Sequence, residues 1–176
     1  GGAGGVGHIA VQLAVSRGAK VFATVAAQDF DLVRSWGAMP IDFRSETVAD
    51  DLGRHTGGEG FDIVFDAVGG TVLDASFTVA RRYGGHVVSI LGWGTHSLAP
   101  LSFRAATYSG VFTLLPLLIG DGRDRHGDIL RETAALVDSG RMQPRVDERR
   151  FTLATANQAH ALVAAGQGRG KVVVEI

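Results

Sequence analysis

The 176 residues carry 17 Lys and Arg against 18 Asp and Glu, and this balance excludes an electrostatic case for nucleic acid or an anionic membrane surface. No cysteine is present, which excludes disulfides, thiolate zinc sites and a cysteine nucleophile within the chain. The length fits one domain, or one with a small appendage, and the 45% apolar content is ordinary for a globular protein.

The chain opens on "GGAGGVGHIAVQLA", a glycine loop running into an amphipathic helix over Val6 to Arg17. Val6, Ile9, Ala10, Leu13 and Ala14 form its expected apolar face, and Gly18 stops it. "KVFATV" (Lys20 to Val25) reads as a strand, Asp29 to Trp36 as a helix ended by Gly37, and Pro40 to Phe43 as a brief strand. A short helix follows with Ser45 as its expected N-cap. "FDIVFDAVGG" (Phe61 to Gly70) is expected as a buried strand, Val72 to Ala80 as a helix, and "GGHVVSILG" (Gly84 to Gly92) as another buried strand. Beyond Gly92 a long loop is expected, including the apolar run Val111 to Ile119, which is too short to span a bilayer and contains Pro116. A helix near Asp128 to Ser139, another over Ala154 to Ala164 and a final strand "KVVVEI" complete the pattern. Strands alternating with helices imply an α/β fold: a doubly wound, Rossmann-type parallel sheet with helices on both faces.

Gly2, Gly4 and Gly7 satisfy GxGxxG, with Gly5 and Val6 between them. The glycines permit a tight turn, close approach of the backbone to a pyrophosphate, and close packing of helix on sheet. The helix N-terminus adds N–H groups and partial positive charge. An acid at the tip of the second strand of such a fold would bond a ribose 2′-OH and favour NAD. Here Thr24, Val25 and Ala26 occupy the tip and no carboxylate comes before Asp29, which leans toward NADPH, with NADH as the alternative. Arg44, after the next strand, is the nearest candidate for a 2′-phosphate, or else a solvated loop arginine. Val68 and Gly69, then Leu91 and Gly92, fall at carboxyl ends of strands, where ligands of open α/β sheets sit. The six His residues show no ligand spacing, so no zinc is expected in this chain. His8 is expected beside the loop and His96 in a loop, neither as a catalytic acid. GxSxG and YxxxK are absent, and "GRGKVV" lacks phosphate-loop spacing. These absences disfavour a hydrolase and a short-chain dehydrogenase, and the missing ribose acid disfavours a methyltransferase.

"GGAGGVGHIAVQLA", "GAKVFATV", "FDIVFDAVGG", "GGHVVSILG" and "GRGKVVVEI", in that order, resemble the medium-chain dehydrogenase/reductase superfamily, closest to its quinone oxidoreductase, zinc-type alcohol dehydrogenase-like branch. The resemblance covers essentially the whole chain. It implies a Rossmann-type cofactor domain (residues 1–145) and a tail (146–176) belonging to a GroES-like catalytic domain. It also implies NAD(P)H-dependent hydride transfer to quinones, enones or enals without catalytic zinc, and a homodimer. By the same resemblance Gly4, Gly5, Val6 and Gly7 meet the pyrophosphate and Thr24 the adenosine end. Val68 and Gly69 would lie near the ribose, Leu91, Val111, Phe112 and Thr113 beside the nicotinamide, and Lys171 would approach from the tail. No catalytic residue is identified. Branch members preferring NADPH carry a Lys after the second strand and a Tyr in a "DYR"-like turn, where this chain has "AAQDFD" and Phe43.

The chain begins inside its glycine loop, so the strand that normally carries such a loop and an N-terminal catalytic domain are expected in a longer parent. The alternatives are a non-catalytic dinucleotide-binding module or inactive fragment, and a zinc-dependent alcohol dehydrogenase with its ligands in another domain. Either a gap in the sheet between "KVFATV" and "FDIVFD" or a replacement strand is expected. Each buried ladder group left unpaired would cost about 1–3 kcal/mol, which would make the free chain marginal or aggregation-prone. A cytoplasmic location is expected, since no targeting segment is visible.

Overall fold

The computed structural model describes residues 1–45 and 47–176, with the backbone alone at 48, 49 and 51. The elements follow in the order α1 (Gly7–Ser16), β1 (Phe22–Val25), α2 (Phe30–Ser35), β2 (Met39–Asp42), α3 (Val48–Thr56), β3 (Ile63–Asp66), α4 (Thr71–Val79), β4 (His86–Ser89), α5 (Ala99–Ser102), β5 (Thr107–Gly110), α6 (Leu115–Ile119), α7 (Arg123–Asp138), β6 (Phe151–Thr152), α8 (Ala156–Ala164) and β7 (Val174–Glu175). The described strands form the ladders β1–β2, β3–β4–β5 and β6–β7. β3, β4 and β5 are parallel, as are β6 and β7. The alternation of helix and parallel strand is that of a Rossmann-like cofactor-binding fold. The chain divides into two compact units, residues 1–41 with 127–176, and residues 42–126.

In the first unit Val11, Ala23, Val25, Val33 and Ala38 form the core, with Val15, Phe30 and Trp36 packed against it. This corrects the face of α1. Gly7, His8, Val11 and Gln12 are buried, whereas Val6 and Leu13 of the expected stripe are 42% and 38% exposed. Two polar residues can occupy the inner face because each finds backbone partners. His8 Nδ1 donates to the Gly4 carbonyl at 2.8 Å, and Gln12 Nε2 donates to the carbonyls of His8 and Gln143 at 3.0 Å each. Satisfied in this way, a polar group escapes the penalty of burial.

In the second unit Leu73 and Phe77 of α4 pack on Val87, Ala80 and Leu101, with Val64 and Tyr108 beside them. The strand expected as buried throughout is one-sided instead. Within β3, Val64 faces α4, whereas Ile63 and Phe65 are 71% and 42% exposed. Alternation forces this wherever only one face of a strand is covered. The expected long loop after Gly92 contains α5, β5 and α6. Strand β5 was hidden because "TYSG" is short and ends on glycine, while its pairing with β4 supplies the order. The N-cap of α3 is Thr47 rather than Ser45. Thr47 Oγ1 accepts from Asp50 N at 3.2 Å, and the Asp50 carboxylate accepts from Thr47 N at 3.0 Å, a reciprocal capping box. The last strand is confined to Val174–Glu175. No described helix is long and apolar enough to cross a membrane.

Candidate cofactor-binding site

The glycine loop of the first unit is fixed by short-range bonds that only glycine allows. Gly2 N donates to Thr24 O at 3.0 Å, tying the loop to β1, and Gly4 N donates to Gly1 O at 3.1 Å. A Cβ on Gly2 would stand 2.8 Å from the Ala23 side chain, and one on Gly7 would stand 2.9 Å from Gly2 Cα. The loop therefore closes on β1 and on the start of α1 without room for side chains at these positions.

The next glycine is different. A Cβ at Gly5 would meet nothing nearer than Gly170 O at 3.4 Å, and Lys171 Nζ would lie 3.9 Å away. Among the described residues no acceptor meets the N–H groups of Gly5, Val6 or Gly7. The N-terminus of α1 has no capping side chain and no acid in its first turn. Free N–H groups, the positive end of a helix and an ammonium at its mouth suit a phosphate. On this geometry the residues present fit the pyrophosphate of a dinucleotide.

A second layer holds the loop. His8 is fully buried beneath it. Burial pushes its pKa down, the hydrogen bond to Gly4 opposes the shift, and the Lys171 and Arg145 cations reinforce it. The imidazole is thus neutral, with Nδ1 carrying the proton and Nε2 meeting no hydrogen-bond partner among the described residues. Arg145 Nη1 donates to Ala3 O at 3.3 Å and to Asp29 Oδ1 at 3.1 Å. Lys171 is carried by a short parallel bridge: its N–H donates to Arg145 O and its carbonyl accepts from Asp147 N, both at 2.8 Å. The buried Asp147 carboxylate accepts from Arg149 Nε at 2.7 Å, Arg149 Nη2 at 2.6 Å and Arg169 N at 2.8 Å. Those bonds, the Arg149 guanidinium first, hold Asp147 far below the usual carboxylate range. A pinned carboxylate thereby fixes the turn that presents Lys171.

The second unit brings Val68, Gly69, Leu91 and Val111 together around a buried polar pair. The last rung of its ladder aligns Asp66, Ser89 and Gly110. Asp66 accepts from Val68 N at 3.0 Å, from Gly69 N at 3.0 Å and from Ser89 Oγ at 2.6 Å. Ser89 Oγ accepts from Leu91 N at 3.0 Å, and Ser89 O accepts from Val111 N at 2.8 Å. Gly69, at φ +77°, passes so close to Leu91 O that a Cβ would lie within 2.4 Å of it. Phe112 packs edge-on against Trp93 with ring centroids 5.8 Å apart, and Thr113 lies in the exposed turn before α6.

Arg44 sits in the exposed turn after β2, its N–H donating to Asp42 Oδ1 at 3.0 Å and its guanidinium 5.5 Å from the Phe43 ring centroid. His96 has both nitrogens engaged, Nδ1 with Asp74 at 2.8 Å and Nε2 with Trp93 O at 3.2 Å, and the Asp74 bond raises its pKa. A doubly bonded imidazolium clips the loop to α4. Among the described residues no group of three or more His, Asp or Glu is arranged to hold a metal ion.

Fold and loop together define a Rossmann-type dinucleotide-binding protein. A family profile described as "Zinc-binding dehydrogenase" matches residues 36–174. The chain belongs to that family, within the medium-chain dehydrogenase/reductase superfamily. The crystal structure of an alcohol dehydrogenase superfamily protein from Novosphingobium aromaticivorans superposes with a TM-score of 0.95 at 51% identity, over 100% of this chain and 54% of that one. Escherichia coli quinone oxidoreductase, solved in complex with NADPH, superposes with a TM-score of 0.84 at 26% identity, over 99% of this chain and 55% of that one. An NADPH-dependent alkenal/one oxidoreductase of Arabidopsis thaliana chloroplasts is 32% identical over 98% of this chain and 38% of that protein. The chain therefore spans about half the length of these solved structures, and less of the plant protein.

Proposed function

We propose that this chain is the cofactor-binding part of an NADPH-dependent oxidoreductase that reduces a quinone or an α,β-unsaturated carbonyl. The observation that carries the reading is the cradle of free N–H groups at Gly5, Val6 and Gly7 beneath Lys171 Nζ. The NADPH bound to the E. coli quinone oxidoreductase and the NADPH dependence of the Arabidopsis relative support NADPH over NADH. When bound, the reduced nicotinamide supplies the hydride. Gly4, Gly5, Val6 and Gly7 bind and orient the pyrophosphate, and Lys171 offsets its charge. Thr24 serves the adenosine end and Arg44 the 2′-phosphate. Val68, Gly69, Leu91, Val111, Phe112 and Thr113 serve the ribose and nicotinamide, the first four held rigid by the Asp66–Ser89 pair. Rigid placement of this kind is what hydride transfer requires of a protein.

Residues 1–145 are read as the cofactor domain and 146–176 as a segment of a GroES-like catalytic domain, in a homodimeric parent without zinc in this chain. The test is NADPH oxidation by the full-length protein, followed by loss of nicotinamide absorbance with a panel of quinones, enones and enals. Turnover with one class supports the proposal. Tight NADPH binding without turnover on any of them would make the chain a binding module instead.

A further inference from the structure

The tip of β1 itself carries no acid, and Asp29, the first carboxylate after it, stands in the turn just beyond. In such folds a free acid beyond this strand accepts from the ribose 2′-OH and repels a 2′-phosphate. It closes the turn that follows β1, in the first unit. Its carboxylate is not left free. Arg145 Nη1 lies 3.1 Å from Asp29 Oδ1, and the two side chains are only 22% and 17% exposed. Among the described residues this is the ion pair in which both partners are most enclosed. The same guanidinium nitrogen reaches Ala3 O in the glycine loop at 3.3 Å. The other acid nearby, Asp31, is exposed and paired with Arg34 at 2.9 Å.

The arginine is held by its own backbone. Its carbonyl accepts from Lys171 N at 2.8 Å, and Gln143, two residues earlier, exchanges bonds with Gln12 on α1 at 2.8 and 3.0 Å. Gly170 passes this point at φ +89°, where a Cβ would fall within 2.3 Å of Arg145 O. The guanidinium is thus delivered to Asp29 by a fixed frame rather than by a mobile surface arm.

We propose that Arg145 is a specificity-determining residue. By holding Asp29 in an enclosed ion pair it withdraws the carboxylate from the ribose, so that a 2′-phosphate is tolerated and NADPH is preferred over NADH. The inference rests on the dinucleotide-binding reading and deepens it. A carboxylate released beside a phosphate dianion repels it, while it gains a hydrogen bond to a free 2′-OH, so the two cofactors respond in opposite directions.

The test is calorimetric titration of NADPH and of NADH into the protein and its Arg145→Met, Asp29→Asn and doubly substituted forms. Wild type favours NADPH. Arg145→Met moves the NADPH:NADH affinity ratio toward NADH by about tenfold. Asp29→Asn, which leaves the cation uncompensated, moves the ratio the other way, and the double variant returns close to wild type. Should Arg145→Met not fold, the Asp29→Asn shift decides, and an unchanged or lowered ratio overturns the inference. Equal weakening of both cofactors by Arg145→Met also overturns it, because a mere prop for the loop would act in that way. A wild type that binds NADH more tightly refutes the specificity role alone. One that binds neither cofactor refutes the dinucleotide reading itself.

Discussion

Replacing Asp66 with alanine removes one acceptor from three donors at once. Its carboxylate takes the N–H groups of Val68 and Gly69 and the hydroxyl of Ser89, and only 2% of Asp66 is exposed. The Gly69 and Ser89 donors are buried with it, whereas the Val68 N–H is part-buried and can recover water. At about 1–3 kcal/mol for each buried donor left without a partner, the two buried ones give a loss of about 2–4 kcal/mol once partial relaxation is allowed. That is a large share of the roughly 5–15 kcal/mol that holds a domain together. Asp66→Asn keeps an acceptor for the turn but sets an amide N–H₂ against Ser89, and its loss is smaller, about 1 kcal/mol. Urea denaturation at neutral pH measures both. An alanine variant within about 0.5 kcal/mol of wild type would refute the claim that this carboxylate organises the strand ends.

Gly69→Ala meets both a positive φ and the Leu91 carbonyl, and is expected to destabilise by about 2 kcal/mol or more in the same assay. Lys171→Met should weaken NADPH binding about tenfold, and should flatten its salt dependence, with little change in melting temperature. Asp147 titrates below its unfolded value, so its contribution to stability is present above about pH 4 and is lost as pH falls further. Asp147→Asn should therefore show a flatter acid limb in a series of denaturation curves. His8 is held neutral by burial, so stability declines as pH falls below about 6.5, where only the unfolded chain takes up the proton. The difference in stability between wild type and His8→Gln should shrink across that interval, and a constant difference would contradict the burial argument.

The sequence made the glycine loop and most of the alternating elements legible because both rest on local chemistry. Glycines at positions 2, 4 and 7 declare a close turn, and apolar runs at 61–66 and 84–92 declare strands. Less legible was anything that depended on a distant partner. His8 and Gln12 look like polar interruptions of an amphipathic helix, yet they form its inner face because Gly4, His8 and Gln143 supply acceptors. A histidine and a glutamine four residues apart in the first turns of a helix after a glycine loop were the available signal. Asp66 was equally readable in principle, since "DAVGG" at a strand end invites an aspartate to cap the turn. Its bond to Ser89, 23 residues away, was not readable. Ser45 looked like a cap, but the reciprocal Thr47–Asp50 bonds decided the start of α3 two residues later. The Arg145–Asp29 pair spans 116 residues and no local pattern announces it.

The most direct test of the cofactor cradle is a titration of NADPH into wild type and Gly5→Val. The backbone accepts a Cβ at Gly5 without a positive φ and with its nearest neighbour 3.4 Å away, so the variant should melt close to wild type. Its side chain would nevertheless fill the space between the loop N–H groups and Lys171 Nζ. The account predicts stoichiometric NADPH binding by wild type and a loss of at least about tenfold in the variant. No binding by wild type, or undiminished binding by a folded Gly5→Val, would contradict it.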